Sequence, residues 1–219
     1  MQGLDFSVVS PYLGVIWTGV AWTAIITVSA SVVSVIGGII LAVAVLYGPA
    51  AVTYPVRLFS WVFMGTPLLL QLYLIYFGLV QIGLDIPALA AGIVGLGLHF
   101  AVYNADILRA GILAVDVGQT EGARTIGFSR WQTLRYVVVP QALLNTAPAI
   151  GNTLIALLKE SAIVSVIGVA ELVHSSQLAI SETYRPFEFY ILAAALYYIL
   201  NLALQGILRI VETRVEATR

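Results

Sequence analysis

The chain has 219 residues, of which 60% are hydrophobic and only 10% charged, against roughly 45–50% and about 25% in soluble domains. A domain of this size leaves too much surface exposed to hide that apolar content from water, so the expected solvent is a bilayer. A net charge of −1 leaves no basic face for nucleic acid, and the lack of cysteine excludes disulfides, thiolate nucleophiles and cysteine metal sites.

The opening segment, MQGLDFSVVSPYLG, has no basic n-region and no short apolar core before a cleavage site, so the first span is expected to stay in the mature protein. Charge-free runs then divide the chain: Phe6–Val56 (51 residues), Leu58–Leu84 (27), Ile86–Ala105 (20), Tyr136–Leu158 (23) and Phe189–Leu208 (20). A helix needs about 20 apolar residues to cross the hydrocarbon, and helices keep every backbone group paired there. These runs predict five spans, at 18–47, 55–79, 88–112, 139–158 and 188–209, in an all-α polytopic transmembrane bundle. The first run has room for two spans, but neither proline nor charge marks a turn near Ser29–Ser34, so it reads as one tilted span ended by Tyr47-Gly48-Pro49.

Polar residues inside these spans each admit two readings. Thr66-Pro67 and Gln71 interrupt the second span; proline frees a carbonyl one turn earlier, which Thr66 or Gln71 can satisfy, or both can meet a polar solute. Gly37-Gly38 and Gly92, Gly95 and Gly97 permit close helix approach. His99 reads as a packing histidine, and Asn104 and Asp106 as helix contacts or an inner gate. Asn145, Asn152 and Thr153, with Pro148 and Gly151 between them, form a polar seam or interhelical glue.

Lys159 and Glu160 end the fourth span, where an ionised group must pair or face a wet cavity. Glu160 then suits an ammonium group and Lys159 a carboxylate. The alternative is snorkelling of Lys159 with a local salt bridge. Ala162–Val173 is too short to cross and reads as a bent or re-entrant element, with a wet His174 after it. His99 and His174, 75 residues apart, make no metal-ligand spacing. Trp61, Tyr184, Tyr190, Tyr197 and Tyr198 divide between interfacial anchoring and packing.

With five spans and the N-terminus outside, the inner segments carry Arg57, Arg109, Arg124, Arg130, Arg135, Arg209, Arg214 and Arg219, eight of the ten basic residues. That is the positive-inside arrangement. The long inner segment, 116–140, carries two capping patterns, Asp116 with Gln119 and Ser129 with Gln132. Gly127 suits the left-handed end of a helix. Two short helices are predicted, about 117–126 and 130–138. Ala123, Ile126, Trp131 and Leu134 supply apolar contacts, and Glu121, Arg124, Arg130 and Arg135 face outward. Pro140 opens the next span. Such an elbow either caps the bundle or docks a soluble partner.

Glu121-Gly122-Ala123, three residues, Gly127, nine residues, then Val137-Val138-Val139-Pro140 resembles the EAA loop of ABC importer permeases. GTPLLLQLYLIYFGL (65–79), ADILRAGI (105–112), GFSRWQTLRYVVVPQAL (127–143), LLKESAIVSVIGVAEL (157–172) and YRPFEFY (184–190) resemble its polar amino acid uptake branch, from about Thr18 to Arg209.

The resemblance implies a MetI-like type I permease fold with five spans: one transmembrane domain over 1–219, with 116–140 as its cytoplasmic coupling loop. It further implies a multi-pass subunit of the bacterial cytoplasmic (inner) membrane, with the N-terminus outside and the C-terminus inside. Two permease copies or homologues would pair. A cytoplasmic ABC ATPase dimer would grip the loop through Glu121, Gly122, Ala123, Arg124, Gly127 and Pro140. An extracytoplasmic binding protein would deliver a polar amino acid, and Thr66, Pro67, Gln71, Asn152, Lys159 and Glu160 are the candidate pathway residues.

No GxxxxGK[ST] loop occurs in the chain, so ATP and Mg are expected on the partner, with no cofactor and no catalytic residue here. Gly122 stands where the second alanine is usual, Asp106 where glutamate is common, and Met64 where the branch commonly has arginine. Two other accounts stay open: an ion-coupled secondary carrier, and a membrane anchor that does not transport.

Overall fold

The computed structural model describes residues 4–216, and every regular element in that range is helical. Phe6–Tyr12 is a 3₁₀ turn whose cap, Asp5, accepts from the Ser7 N–H. It leads into α1, Leu13–Tyr47, a single helix of 35 residues with no break at Ser29–Ser34. At 1.5 Å per residue this helix is about 50 Å long, well beyond the roughly 30 Å hydrocarbon core. Ser34 sits inside it because it faces a neighbour: it is fully buried and accepts from Asn104 at 3.2 Å.

The second predicted span needs correcting, because it is not one helix. α2 (Ala50–Gly65) and α3 (Leu68–Gln81) meet at 114° across Thr66-Pro67. A residue before proline is driven out of the α region, and Thr66 lies at φ −120°, ψ 142°, with Pro67 also extended at ψ 136°. α4 (Ala88–Leu113) is the third span as predicted, α7 (Val139–Glu160) the fourth and α9 (Pro186–Glu216) the fifth. Among the described residues, four helical stretches are long and apolar enough to cross a membrane, and the bent pair makes a fifth if its arms count as one broken span.

Between α4 and α7 lie α5 (Val117–Thr125) and the one-turn α6 (Arg130–Thr133). Pro140 stands in the first turn of α7 as expected, but no break precedes it. A π turn over Leu134–Val138 joins α6 to α7, and the Val139 N–H reaches back five residues to the Leu134 carbonyl. That wider turn is how the helix passes the missing proline donor without stopping. After α7 comes a 3₁₀ turn, Ser161–Ile167, closed by left-handed Gly168, and then α8 (Leu172–Thr183). The predicted re-entrant stretch is therefore a turn plus the start of a separate helix. Arg219 lies outside the described residues.

The central core joins Ile26 and Ala30 of α1, Leu72 of α3, Leu96 and Phe100 of α4, and Leu157 and Val164 of α7 and its 3₁₀ extension. α1 and α4 approach most closely. A methyl group on Gly38 would sit 2.7 Å from the Asn104 Cβ and 3.2 Å from the Ala101 carbonyl oxygen, so only glycine allows this contact.

Candidate functional site

The break between α2 and α3 opens one side of a cavity of about 770 Å³. Met64, Thr66 and Pro67 line it from the break, His99 and Tyr103 from α4, and Asn152, Thr153 and Glu160 from α7. The break is held by hydrogen bonds as well as by the burial of Leu68 and Leu72 just beyond it. The Thr66 hydroxyl donates to the Val62 carbonyl at 2.8 Å. The Gln71 Nε2 donates to the carbonyls of Phe63 (2.8 Å) and Thr66 (3.0 Å) and to the Thr66 hydroxyl (2.9 Å). The Val62 and Phe63 carbonyls are among those that the end of α2 leaves without a helical donor.

That arrangement fixes a second one. With Nε2 committed as donor, Gln71 Oε1 is the acceptor for His99 Nδ1 at 3.0 Å. His99 Nδ1 therefore carries a hydrogen, and a neutral ring keeps Nε2 as an acceptor. His99 is both a satisfied packing residue and a cavity wall. Just beneath, buried Asn104 accepts from Thr153 at 2.6 Å and donates to Ser34 at 3.2 Å, tying α1, α4 and α7 together. The sequence reading of Asn104 as a helix contact agrees with this.

The structure thus brings Thr66, Pro67, Asn152 and Glu160 to one cavity, with Gln71 behind them. Lys159 does not line it. Both Lys159 and Glu160 are exposed, and among the described residues no ion pair joins them. The Glu160 carboxylate has no hydrogen-bond partner there either.

The loop forms the second part of the site. Asp116 caps α5 by accepting from the Gly118 N–H at 2.7 Å, but its predicted box is not closed, because Gln119 turns to Gln141 instead. The Ser129–Gln132 box is complete in both directions. Gly127 sits at φ +91°, with its N–H on the Arg124 carbonyl and the Phe128 N–H on the Ala123 carbonyl. This is the paired Schellman end of a helix.

Glu121, Gly122, Arg124, Gly127 and Pro140 are exposed, whereas Ala123 is buried. Ile126 and Trp131 correct the apolar expectation: they are 75% and 65% exposed. The left-handed turn gives the inward places to Ala123 and Thr133 and turns these two side chains outward.

One polar centre has no counterpart in the sequence reading. Glu171 is fully buried, accepts from the Val173 and His174 N–H groups at 2.8 Å each as the cap of α8, and accepts from the Tyr197 hydroxyl at 2.7 Å. A glutamate at a helix start is the only signal the sequence offers; its partner 26 residues away leaves no local pattern. Among the described residues no cluster of His, Cys, Asp or Glu could hold a metal.

Residues 34–217 match the family described as the inner membrane component of binding-protein-dependent transport systems. The chain belongs to this family. It is 39% identical over 217 residues to the arginine transport system permease protein ArtQ of Bacillus subtilis, covering 99% of each chain. It is 37% identical over 195 residues to a putative glutamine transport system permease protein GlnP of Rickettsia bellii, covering 87% of this chain and 89% of that one.

Among solved structures, an amino acid ABC transporter crystallised with histidines superposes at TM-score 0.90 and 41% identity, over 97% of this chain and all of that one. The MetNI methionine ABC transporter in an inward-facing form shares the fold at TM-score 0.78, over 94% and 98% of the two chains, with 23% identity. The chain is a multi-pass transmembrane permease subunit with the MetI-like type I importer fold, in the amino-acid uptake branch of the family.

Proposed function

We propose that this permease moves polar amino acids inward through the cavity beside Glu160, with a cationic amino acid as the favoured cargo. One observation carries the choice of charge: the cavity wall holds an unpartnered carboxylate, Glu160, and no lysine or arginine. Met64, where the resemblance leads one to expect arginine, lines the same wall and adds no positive charge to it. An arginine or lysine cargo would set its cationic group against the Glu160 carboxylate in a charge-assisted pair. The Asn152 amide is free to donate to the cargo's carboxylate, and the Thr66-Pro67 break supplies the opening. Lys159, outside the cavity, is assigned to the membrane interface. The arginine permease of Bacillus subtilis among the relatives supports the same reading.

The energy comes from a partner ABC ATPase dimer that holds ATP and Mg, so this chain is not itself an enzyme. The whole chain acts as one transmembrane unit, with 116–140 as its coupling loop in the cytoplasm, the N-terminus outside and the C-terminus inside. Glu121, Gly122 and Gly127 form the exposed grip, Arg124 braces it from the cavity beside α1 and α4, Ala123 anchors it from within, and Pro140 marks the entry to α7. A second permease copy or homologue completes the pathway, and an extracytoplasmic binding protein delivers the cargo. Reconstituted with its ATPase and binding protein, Glu160→Gln is expected to lower arginine uptake at least tenfold and glutamine uptake much less. Equal effects on both would remove the charge argument, and uptake by the permease without ATP would remove the importer reading.

A further inference from the structure

A second cavity, of about 870 Å³, lies where α1 and α4 end against the coupling loop. Val43, Ile112 and Leu134 form apolar walls, and Arg124 and Arg130 reach it from the two sides of the Gly127 turn, beside Trp131. No carboxylate lines it. Neither arginine has a hydrogen-bond or ion-pair partner for its side chain among the described residues. We propose that this cavity holds an anionic phospholipid of the inner leaflet, with its phosphate on Arg124 and Arg130 and its glycerol region against the apolar walls.

Three observations favour lipid over a soluble partner. Val43 belongs to a membrane helix, and the exposed strip Ile36, Ile40, Val43 runs from mid-helix to the cavity, giving an acyl chain a continuous apolar path. Two unpaired guanidinium groups match a phosphate in both charge and bidentate geometry, as basic pockets at the cytoplasmic ends of membrane helices do for anionic headgroups. Trp131, 65% exposed, has the amphipathic ring that favours the headgroup level. The ATPase grip at Glu121 and Gly122 would then rest on a lipid-filled base. The proposal rests on the inward orientation given above.

The test uses the permease–ATPase complex in phosphatidylcholine vesicles, with Trp17, Trp22 and Trp61 replaced by phenylalanine so that Trp131 alone of the permease tryptophans fluoresces. Brominated phosphatidylglycerol is expected to quench Trp131 at a several-fold lower mole fraction than brominated phosphatidylcholine. Arg130→Gln should abolish that preference and Arg130→Lys should keep most of it. Equal quenching by the two lipids would overturn the proposal in favour of ordinary boundary lipid. Quenching seen only after the ATPase is stripped away would overturn it in favour of protein cover.

If the tryptophan variant does not insert, native mass spectrometry of the unaltered complex from equimolar lipid mixtures decides between the same two outcomes. Retained phosphatidylglycerol supports the site, and no preference refutes it. Labelling of a cysteine at position 125 from outside intact cells would sink the orientation without changing the quenching preference, so the two failures are distinguishable.

Discussion

Between α1 and α4 the contact is close enough that backbone and short side chains do the packing. Gly38 lies against Asn104, and Asn104 bonds in turn to Ser34 and Thr153. Along α2, by contrast, no residue is buried, and Tyr54 and Trp61 are among the most exposed side chains of the chain. Both regions are apolar. One finds its partners within this chain, while the other is held mainly at its two ends, by Thr53 on the Ala44 and Gly48 carbonyls and by Gln71 at the break, and leaves most of its surface to lipid or to a second permease. The first supplies stability and the second supplies shape.

The largest effect expected from breaking this contrast is on the packed side. Gly38→Val should destabilise the protein by about 3 kcal/mol or more, since neither the Asn104 Cβ nor the Ala101 carbonyl can retreat. Thermal unfolding in detergent, followed by size-exclusion chromatography, would show it as loss of the monodisperse peak; an unshifted midpoint would contradict the close-packing account. At the polar corner, Gln71→Leu leaves several part-buried acceptors unpaired, at about 1–3 kcal/mol each in the worst case. Because the acceptors lie beside a wet cavity, a smaller stability loss and a larger loss of uptake are expected. A variant that loses both in proportion would argue that the corner is only structural.

The smallest effect is at the loop. Gly122 is exposed and has open space around its Cβ position, so Gly122→Ala should stabilise α5 by about 1 kcal/mol through propensity alone. Substrate-stimulated ATPase activity should fall if the partner needs that bare backbone and stay level if it does not.

The spans are legible in the sequence because a charge is costly in hydrocarbon, so charged residues gather at the ends and leave uncharged runs between. The loop is legible because Ser129, Gln132 and Gly127 act on their own neighbours. The 114° bend is not, since hydropathy counts what lies along the chain and not its direction. Proline is visible as a break, but its angle depends on Gln71 holding the end of α2. The cavity itself depends on pairs such as Gln71 with His99, 28 residues apart, and Thr153 with Asn104, 49 apart, for which no local pattern exists. Ile126 and Trp131 depart from expectation for a related reason: apolar character says what a residue can bury against, and the turn at Gly127 decides whether anything is there.

The π turn before Pro140 has a mechanical consequence. Because it keeps the backbone helical from Arg130 without interruption to Glu160, these 31 residues form one continuous helical rod about 45 Å long. Tilting its lower end by about 5° would carry its upper end about 4 Å sideways, by the length of the rod alone. The residue at that upper end is Glu160, so a lever built this way would deliver a movement at the loop to the carboxylate, with the π turn and Pro148 as the points along it where bending is easiest.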